Sequence, residues 1–468
     1  MKSDYDQLKA LSEEYGQRHV FRFWKELNSE ERSSLLYQLQ RIDFKLMDLL
    51  ARQPSTPAGG SEEAVLSPAP ILRIPRTKEE KEEEAQARAK GEELLREGRV
   101  AAFVVAGGQG TRLGFEGPKG AFEIGPLTRR TLFQHHAEKI LATSRRYGSP
   151  IPWLVMTSEA NHEATLRFFH ERGFFGLTEG DVRFFQQEMI PAVDKEGKFL
   201  LESRSRVFTS PNGHGGSLKA LHESGSLAEM NKRGIDSVFY FQVDNPLLKI
   251  CDPVFLGYHA LRGAEMSSKV VQKAGWKEKV GVIGLRDGKL TVIEYSDLPE
   301  DKAKDTLDDG SLKYWAGSIA IHVLSVDFVE RLNRGGFRLP FHRADKSVPF
   351  VDEAGVLQKP KEKNGIKFET FIFDALREAA RTVTLEVLRE EEFSPVKNST
   401  GEDSPEKSRQ DMTAQYLRWL ESSGATIERA KGGAFPGYVE ISPLSALDAR
   451  DLAGRVRPGT VVRPGFTL

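Results

Sequence analysis

The run "VAAFVVAGGQGTRLG", Val100 to Gly114, constrains the fold more than any other stretch of the chain. Its apolar part is too short for a globular helix and shows no polar alternation, so it reads as a strand buried on both faces. Strands of that kind belong to parallel sheets covered by helices. The next 150 residues keep the matching rhythm. "TLFQHHAEKILATSRRYG" is helical text and "IPWLVMTS" a strand; "NHEATLRFFHERGFFG" is helical and "VRFFQQ" a strand; "GGSLKALHESGSLAEMNKRG" is helical and "SVFYFQVDNPL" a strand. Over residues 100–250 this alternation predicts an α/β fold, Rossmann-like and doubly wound, whose functional residues gather at strand carboxyl ends near a switch point. "KVGVIGLRDGKLTVIEY" differs. Its two β-rich runs about Asp287-Gly288 predict a hairpin, so the central sheet is mixed although mostly parallel.

Residues 3–50 read as helix, with Leu35, Leu39, Ile42, Leu46 and Leu49 forming one apolar stripe and Asn28 or Ser29 as cap, completed by Glu31. From Gln53 the Pro-, Gly- and Ser-rich text predicts a linker or extended strap, and the Glu/Lys-rich text after it a solvated helix. The expected division is a helical region with linker at 1–95, a catalytic domain at 96–395 and a small C-terminal segment at 396–468.

Lys+Arg of 67 against Asp+Glu of 68 leaves no global field to draw the chain to nucleic acid or an anionic membrane, so any anion must be held locally. A single cysteine, Cys251, excludes an intrachain disulfide framework and suits a reducing compartment. The opening residues do not read as a secretory signal, and no apolar run is long enough to span a bilayer; the expected location is the cytoplasm. The triplet at Asn398 then reads as chance.

Six glycines fall within "VVAGGQGTRLGFEGPKG", with Arg112 and Lys119 among them. The loop fails the ATPase pattern because Gly120 follows Lys119. It fails the dinucleotide pattern because Leu113 stands where the third glycine belongs. A tight turn alone is one reading. The other is a phosphate site, where bare backbone lets a nucleotide approach at Gly107 and Gly108 while Arg112 and Lys119 meet its charge. Glycine entropy, about 0.5–1 kcal/mol for each residue, favours the second. Asp244 in "QVDN" ends a predicted strand, where a carboxylate can hold Mg²⁺ bridging phosphates or simply make a turn.

"AGGQGTRLG" with "PKG", and then "RRTLFQHHAEKI", "MTSEANHEATLRFF", "FFQQEMIPAV", "VDNPL", "VIEYSDL", "NGIKFETFIFD" and "VLREEEFSPVKN" in order, resemble the eukaryotic-type UDP-N-acetylglucosamine pyrophosphorylases within the UTP–hexose-1-phosphate uridylyltransferase family. The resemblance implies a nucleotidyltransferase that forms a UDP-sugar and pyrophosphate from UTP and a sugar-1-phosphate. It places uracil at Gly108, Gln187 and Gly213, with Gln186 the neighbouring candidate, because side chains alternate along a strand. It gives Lys397 to the sugar phosphate, and Gly281 and Glu294 to the sugar. In the sugar pocket His214 and Ser318 each stand where the N-acetylglucosamine enzymes carry Asn. The overall text implies N-acetylglucosamine-1-phosphate; these two positions imply glucose-1-phosphate or a broad range of sugars. A hydride-transferring enzyme would need tighter glycine spacing and an acidic residue where "TRRTLFQHHAEKI" stands. A non-catalytic sugar-nucleotide sensor would have no need of Asp244, Arg112, Lys119 and Lys397 together.

Overall fold

The computed structural model describes residues 2–53 and 64–468. Most of the expected Pro-, Gly- and Ser-rich linker, at 54–63, lies outside the described residues. Chain contacts define two units that interleave in sequence. One comprises Met1–Ser61, Gln187–Ser217 and Arg338–Asp374; the other comprises Glu62–Gln186, Leu218–Phe337 and Ala375–Leu468. The sequence predicts three consecutive segments instead.

In the larger unit a ten-stranded mixed sheet runs, in its main path, Leu66–Pro68, Val282–Arg286, Ala316–Ser325, Ser237–Gln242, Val100–Val105, Trp153–Thr157, Val182–Gln186. The four strands from Ser237–Gln242 to Val182–Gln186 are mutually parallel. Strand Val100–Val105 therefore has a sequence-later partner on each side. The chain leaves it first toward Trp153–Thr157 and later returns to pair Ser237–Gln242 on the opposite edge. That reversal makes a switch point, and the carboxyl ends of Val100–Val105 and Ser237–Gln242 diverge around it. Val100, Ala102 and Val104 face a core shared with Phe133, Trp153 and Phe169. On the other face the Phe103 ring meets Tyr240 at 5.5 Å and Phe185 at 5.6 Å between centroids. Both faces are dry, as the unbroken apolar run requires.

The expected hairpin forms between Val282–Arg286 and Lys289–Ile293, its turn residues Asp287 and Gly288 both left-handed at φ 53° and 75°. Helix Lys78–Arg96 is capped by Thr77 with Glu80 completing the box. It is solvated on one side only. Ala87, Gly91, Leu94 and Leu95 are buried, and the helix lies backbone to backbone against Pro253–Leu261. A Cβ on Gly91 would sit 1.8 Å from the Pro253 carbonyl oxygen, and one on Gly257 1.6 Å from that of Ala87. The C-terminal segment is no appendage of the core: helix Pro405–Ser422 brings Met412, Tyr416 and Leu420 into it, and Val439, Ile441 and Val462 join them.

In the smaller unit the N-terminal text makes three helices, Lys2–Glu14, Ser29–Gln40 and Phe44–Arg52. Asn28 caps the second, with Glu31 closing the capping box as expected. The single stripe does not survive, because Asp43 stops and restarts the helix, its carboxylate accepting from the Leu46 amide. The phase shifts accordingly: Phe44, Met47 and Leu50 are buried, while Leu49 is 56% exposed. These helices share their core with Ile190, Val193, Phe199, Val207, Ile366 and Phe368.

Replacing Gly91 by Ala should lower stability by about 1–3 kcal/mol, the usual cost of overpacking, because backbone and not a mobile side chain blocks the new methyl. Gly180, with open space around it, is the control, and urea midpoints compare the two.

Candidate active site at the strand switch point

The glycine loop leaves Val105 and is held by its own geometry and by two polar side chains. Ser158 Oγ donates to the Gly107 carbonyl at 2.8 Å. Asn161 Nδ2 donates to the carbonyls of Ala106 at 2.8 Å and Gly108 at 3.2 Å. The Lys119 amide returns to the Gly108 carbonyl at 3.0 Å, closing the loop. Four of its glycines are explained without a ligand. Gly114 and Gly117 have φ of 70° and 137°, and a Cβ on Gly110 or Gly120 would strike Phe115 or Phe133 at 2.6 and 2.3 Å. The entropy of six glycines therefore says less about ligand binding than the sequence suggests. Gly108 is the informative one: it is exposed, and a Cβ there would meet nothing within 4 Å.

Across the switch point Lys119 Nζ donates to Asp244 Oδ2 at 2.8 Å, with only 16% and 12% of the two side chains exposed. The loop after Val243 is fixed from both sides. The Val396 amide donates to the Asp244 carbonyl at 2.8 Å; Asn245 Nδ2 donates to the Glu392 carbonyl at 2.7 Å; and Asn245 Oδ1 accepts from the Ser394 amide at 3.1 Å. Lys397 comes directly after, 42% exposed, its Nζ 3.7 Å from Asp403 Oδ2. Nothing in the sequence marks Asp403. It sits in left-handed backbone at φ 56°, and burial, with Asp244 and Glu278 nearby, raises its carboxyl above the ordinary range against the pull of Lys397. Arg112 is exposed in the short turn Thr111–Leu113 and, among the described residues, makes no ion pair.

Gly281, Glu294 and Ser318 also come together. The Ser318 amide donates to the Gly281 carbonyl at 2.8 Å, and a Cβ on Gly281 would lie 3.6 Å from Glu294 Oε1. Gln187, Gly213 and His214 belong to the smaller unit. Gln187 is buried at 8% exposure while Gln186, ending its strand, is exposed. Gly213 is left-handed at φ 70°, and a Cβ there would strike the Thr370 carbonyl oxygen at 2.4 Å. His214 accepts the Ile372 amide on Nδ1 at 3.0 Å and lies 5.4 Å from both the Phe371 and Phe373 rings. Nearby, His342 stacks on Phe371 at 4.6 Å and meets Asp374 Oδ2 at 2.7 Å. Burial pushes the His214 imidazole down to about 4, Asp374 opposing. The neutral ring then carries its proton on Nε2.

Among the described residues no three His, Cys, Asp or Glu side chains are grouped to hold a metal by themselves, and no helix is long and apolar enough to cross a membrane. Asp244, with one oxygen taken by Lys119, fits an ion that keeps most of its shell for water and phosphate.

A glycine loop at the switch point of a doubly wound sheet, faced by a lysine and an aspartate, defines an α/β nucleotidyltransferase. The family model described as UTP–glucose-1-phosphate uridylyltransferase matches residues 62–402, and the chain belongs to that family. It is a uridylyltransferase. The chain is 39% identical to UDP-N-acetylhexosamine pyrophosphorylase-like protein 1 of Homo sapiens, over 97% of this chain and 94% of that protein. It is 36% identical to the UDP-N-acetylglucosamine pyrophosphorylase of Saccharomyces cerevisiae, over 90% and 92%. A crystal structure of the uridine diphosphate N-acetylglucosamine pyrophosphorylase of Trypanosoma brucei with an inhibitor superposes at TM-score 0.81 and 27% identity, covering 99% of this chain and 98% of that one.

His214 should remain neutral down to about pH 4, which imidazole ¹⁵N shifts against pH report directly. Its folded value lies below the ordinary 6.5, so the unfolded chain takes the proton first. Stability is lost as pH falls from 6.5 towards 4, and His214→Phe should flatten that part of the profile.

Proposed function

We propose that this chain joins UTP to N-acetylglucosamine-1-phosphate, releasing pyrophosphate and forming UDP-N-acetylglucosamine. The observation that carries the reading is the Lys119–Asp244 pair beside exposed Gly108, set where the two strand ends part. The names of its human and yeast relatives supply the sugar class. An oxygen of the sugar phosphate attacks the α-phosphorus of UTP, the bond to the β-phosphate breaks, and pyrophosphate leaves with the electron pair. The attacking group is already an anion, so no protein base is required and catalysis reduces to positioning and charge neutralisation.

The chain's residues divide that work. Bare backbone at Gly107 and Gly108 receives the nucleotide, and buried Gln187, with Gly213, reads the uracil edge. An amide both donates and accepts there. Arg112, which makes no ion pair among the described residues, and Lys119, released in part from Asp244, meet the triphosphate and the departing pyrophosphate. Lys397, held only loosely by Asp403, takes the sugar phosphate. Mg²⁺ held by Asp244 would supply further neutralisation of the phosphates when bound. Glu294, Gly281, Ser318 and His214 serve the sugar. The reading takes the cytoplasm as the compartment, in keeping with a single free, buried thiol at Cys251.

The replaced amides favour a second reading, with glucose-1-phosphate or a broad range of sugars as substrate. The structure weakens it. With Nδ1 occupied by Ile372, His214 still offers an Nε2 donor, and the Ser318 hydroxyl can donate or accept, so an acetamido carbonyl need not go unpaired.

Pyrophosphate release from UTP with Mg²⁺ should be faster with N-acetylglucosamine-1-phosphate than with glucose- or galactose-1-phosphate; the reverse order transfers the assignment to a plain hexose. Lys119→Ala should cut kcat/KM by about 10²–10³-fold with the circular dichroism unchanged, the usual loss for one charge-stabilising donor. Chelation by EDTA should abolish turnover, and added Mg²⁺ should restore it.

A further inference from the structure

Behind the loop that carries Asp244, the larger unit holds a cavity of about 280 Å³, close to the lower end of the ~300–1,000 Å³ usual for small-molecule sites. None of the residues assigned above to nucleotide, sugar or metal lines it. Its walls combine flat apolar surface with basic side chains that make no ion pair among the described residues. Tyr147, Leu248, Ile250 and Trp419 supply the first; Arg88, Lys139 and Lys249 supply the second. Other charged groups in the wall lie in ion pairs: Arg73 with Glu386, Arg146 with Asp448 and Asp451, Arg450 with Asp448, Glu391 with Arg418, and Glu392 and Asp252 with a shared Lys269. Among the described residues Arg88, Lys139 and Lys249 have no carboxylate within ion-pair distance, while Glu84 alone of the wall carboxylates is likewise unpaired.

Two polar groups point to an occupant. His135 lines the cavity at 3% exposure, and its Nδ1 has no hydrogen-bond partner among the described residues. A buried polar atom left without a partner is costly and calls for one. Lys139 Nζ donates to two backbone carbonyls, Pro246 at 2.5 Å and Leu248 at 2.8 Å. Burial lowers its ammonium to about 7, Glu392 opposing and Lys249 adding to the fall. An anion beside it would hold the charge that burial discourages.

We propose that this cavity binds a small organic oxyanion, carboxylate or phosphate, on a flat apolar body, and that its occupancy is felt at Asp244. The path is short, running through side-chain hydrogen bonds into one stretch of backbone. Lys139 grips the carbonyls of Pro246 and Leu248, and His136, its neighbour on the same helix, meets the Val243 carbonyl through Nε2 at 2.9 Å. These contacts bracket Asp244 and Asn245. An anion that draws the Lys139 ammonium into the cavity weakens its hold on that loop, and the loop presents the carboxylate paired with Lys119. The binding half stands alone; the coupling half rests on the proposed uridylyl transfer.

Calorimetry of the full chain with 2-naphthoate, 2-naphthyl phosphate and the uncharged 2-naphthylmethanol tests both halves. At least one anion should bind at least about tenfold more tightly than the alcohol, as a charge-assisted contact in a dry wall requires. The Arg88→Ala/Lys249→Ala variant, outside the reaction machinery, should lose that difference while its circular dichroism stays unchanged. Preference between the two anions identifies the headgroup. Equal binding of the alcohol, absence of binding by all three, or an undiminished preference in the double variant overturns the site. Saturating naphthoate or naphthyl phosphate, whichever binds, should also shift the KM for UTP in the parent chain and not in the variant. Binding with unaltered UTP kinetics overturns the coupling. Binding by a chain that turns over no sugar phosphate at all leaves the cavity in place and overturns the proposed reaction instead.

Discussion

The ion pair between Lys119 and Asp244 joins two pieces of chain that the sheet topology has already driven to one place. Strands Val100–Val105 and Ser237–Gln242 are parallel neighbours whose connections lead to opposite sides of the sheet, so their carboxyl ends flank a crevice. Backbone amides freed at such strand ends are hydrogen-bond donors without partners, and the loops there are the parts of the fold least committed to the core. The 2.8 Å contact between lysine and aspartate across that gap offsets part of what burying each charge costs. Each charge keeps some exposure, so either can exchange partners at the cost of breaking one contact. A pair more deeply sealed would resist that exchange, because separating it would strand one charge in a dry interior.

Hydrogen bonds hold the loops on both sides of the crevice. Ser158 and Asn161 take the three carbonyls of Ala106, Gly107 and Gly108, so the loop cannot rotate those groups into the site. On the facing side, Asn245 and Val396 tie the aspartate loop to the segment that carries Lys397. Behind that segment the fully buried Lys269 is shared by Asp252 and Glu392 at 2.8 and 2.7 Å, so one cation locks the start of helix Pro253–Leu261 to the turn before Lys397. Removing any one member would leave the others charged in a low dielectric, which makes the cluster specific about its geometry even where it adds little net stability.

The sequence carried the parallel centre, the Asp287-Gly288 hairpin and the Asn28 capping box because each is decided locally, by side-chain period, left-handed turn residues or a cap. It also drew attention to Asp244, just beyond the strand Ser237–Gln242, and to the glycine loop that leads from Val105 to Lys119. What it hid was set by distant packing. Asp43 reads as one more polar residue in a helix until its carboxylate is seen to restart the next turn. Nothing in the sequence shows that Gly91 and Gly257 are required where two helix backbones meet. Asn161 stands where a helix cap belongs, yet its amide serves the glycine loop more than 50 residues earlier. The C-terminal helix had its start signal in Ser404-Pro405, but its apolar positions are scattered among charges and show their core face only once Met412 and Tyr416 are buried.

His214 shows how a residue's chemistry depends on which of its atoms is already spent. Read from the text, replacing an asparagine by histidine removes an amide and so removes a reason to expect an acetamido sugar. In the fold, the Ile372 amide takes Nδ1 and burial keeps the ring neutral, which leaves a single donor on Nε2. An asparagine offers a donor and an acceptor at the same place; this imidazole retains the donor and gives up only the acceptor. A carbonyl on the sugar needs a donor, an N–H on the sugar needs an acceptor, and a hydroxyl accepts either. The substitution therefore narrows what this position can offer a ligand to one direction without abolishing it.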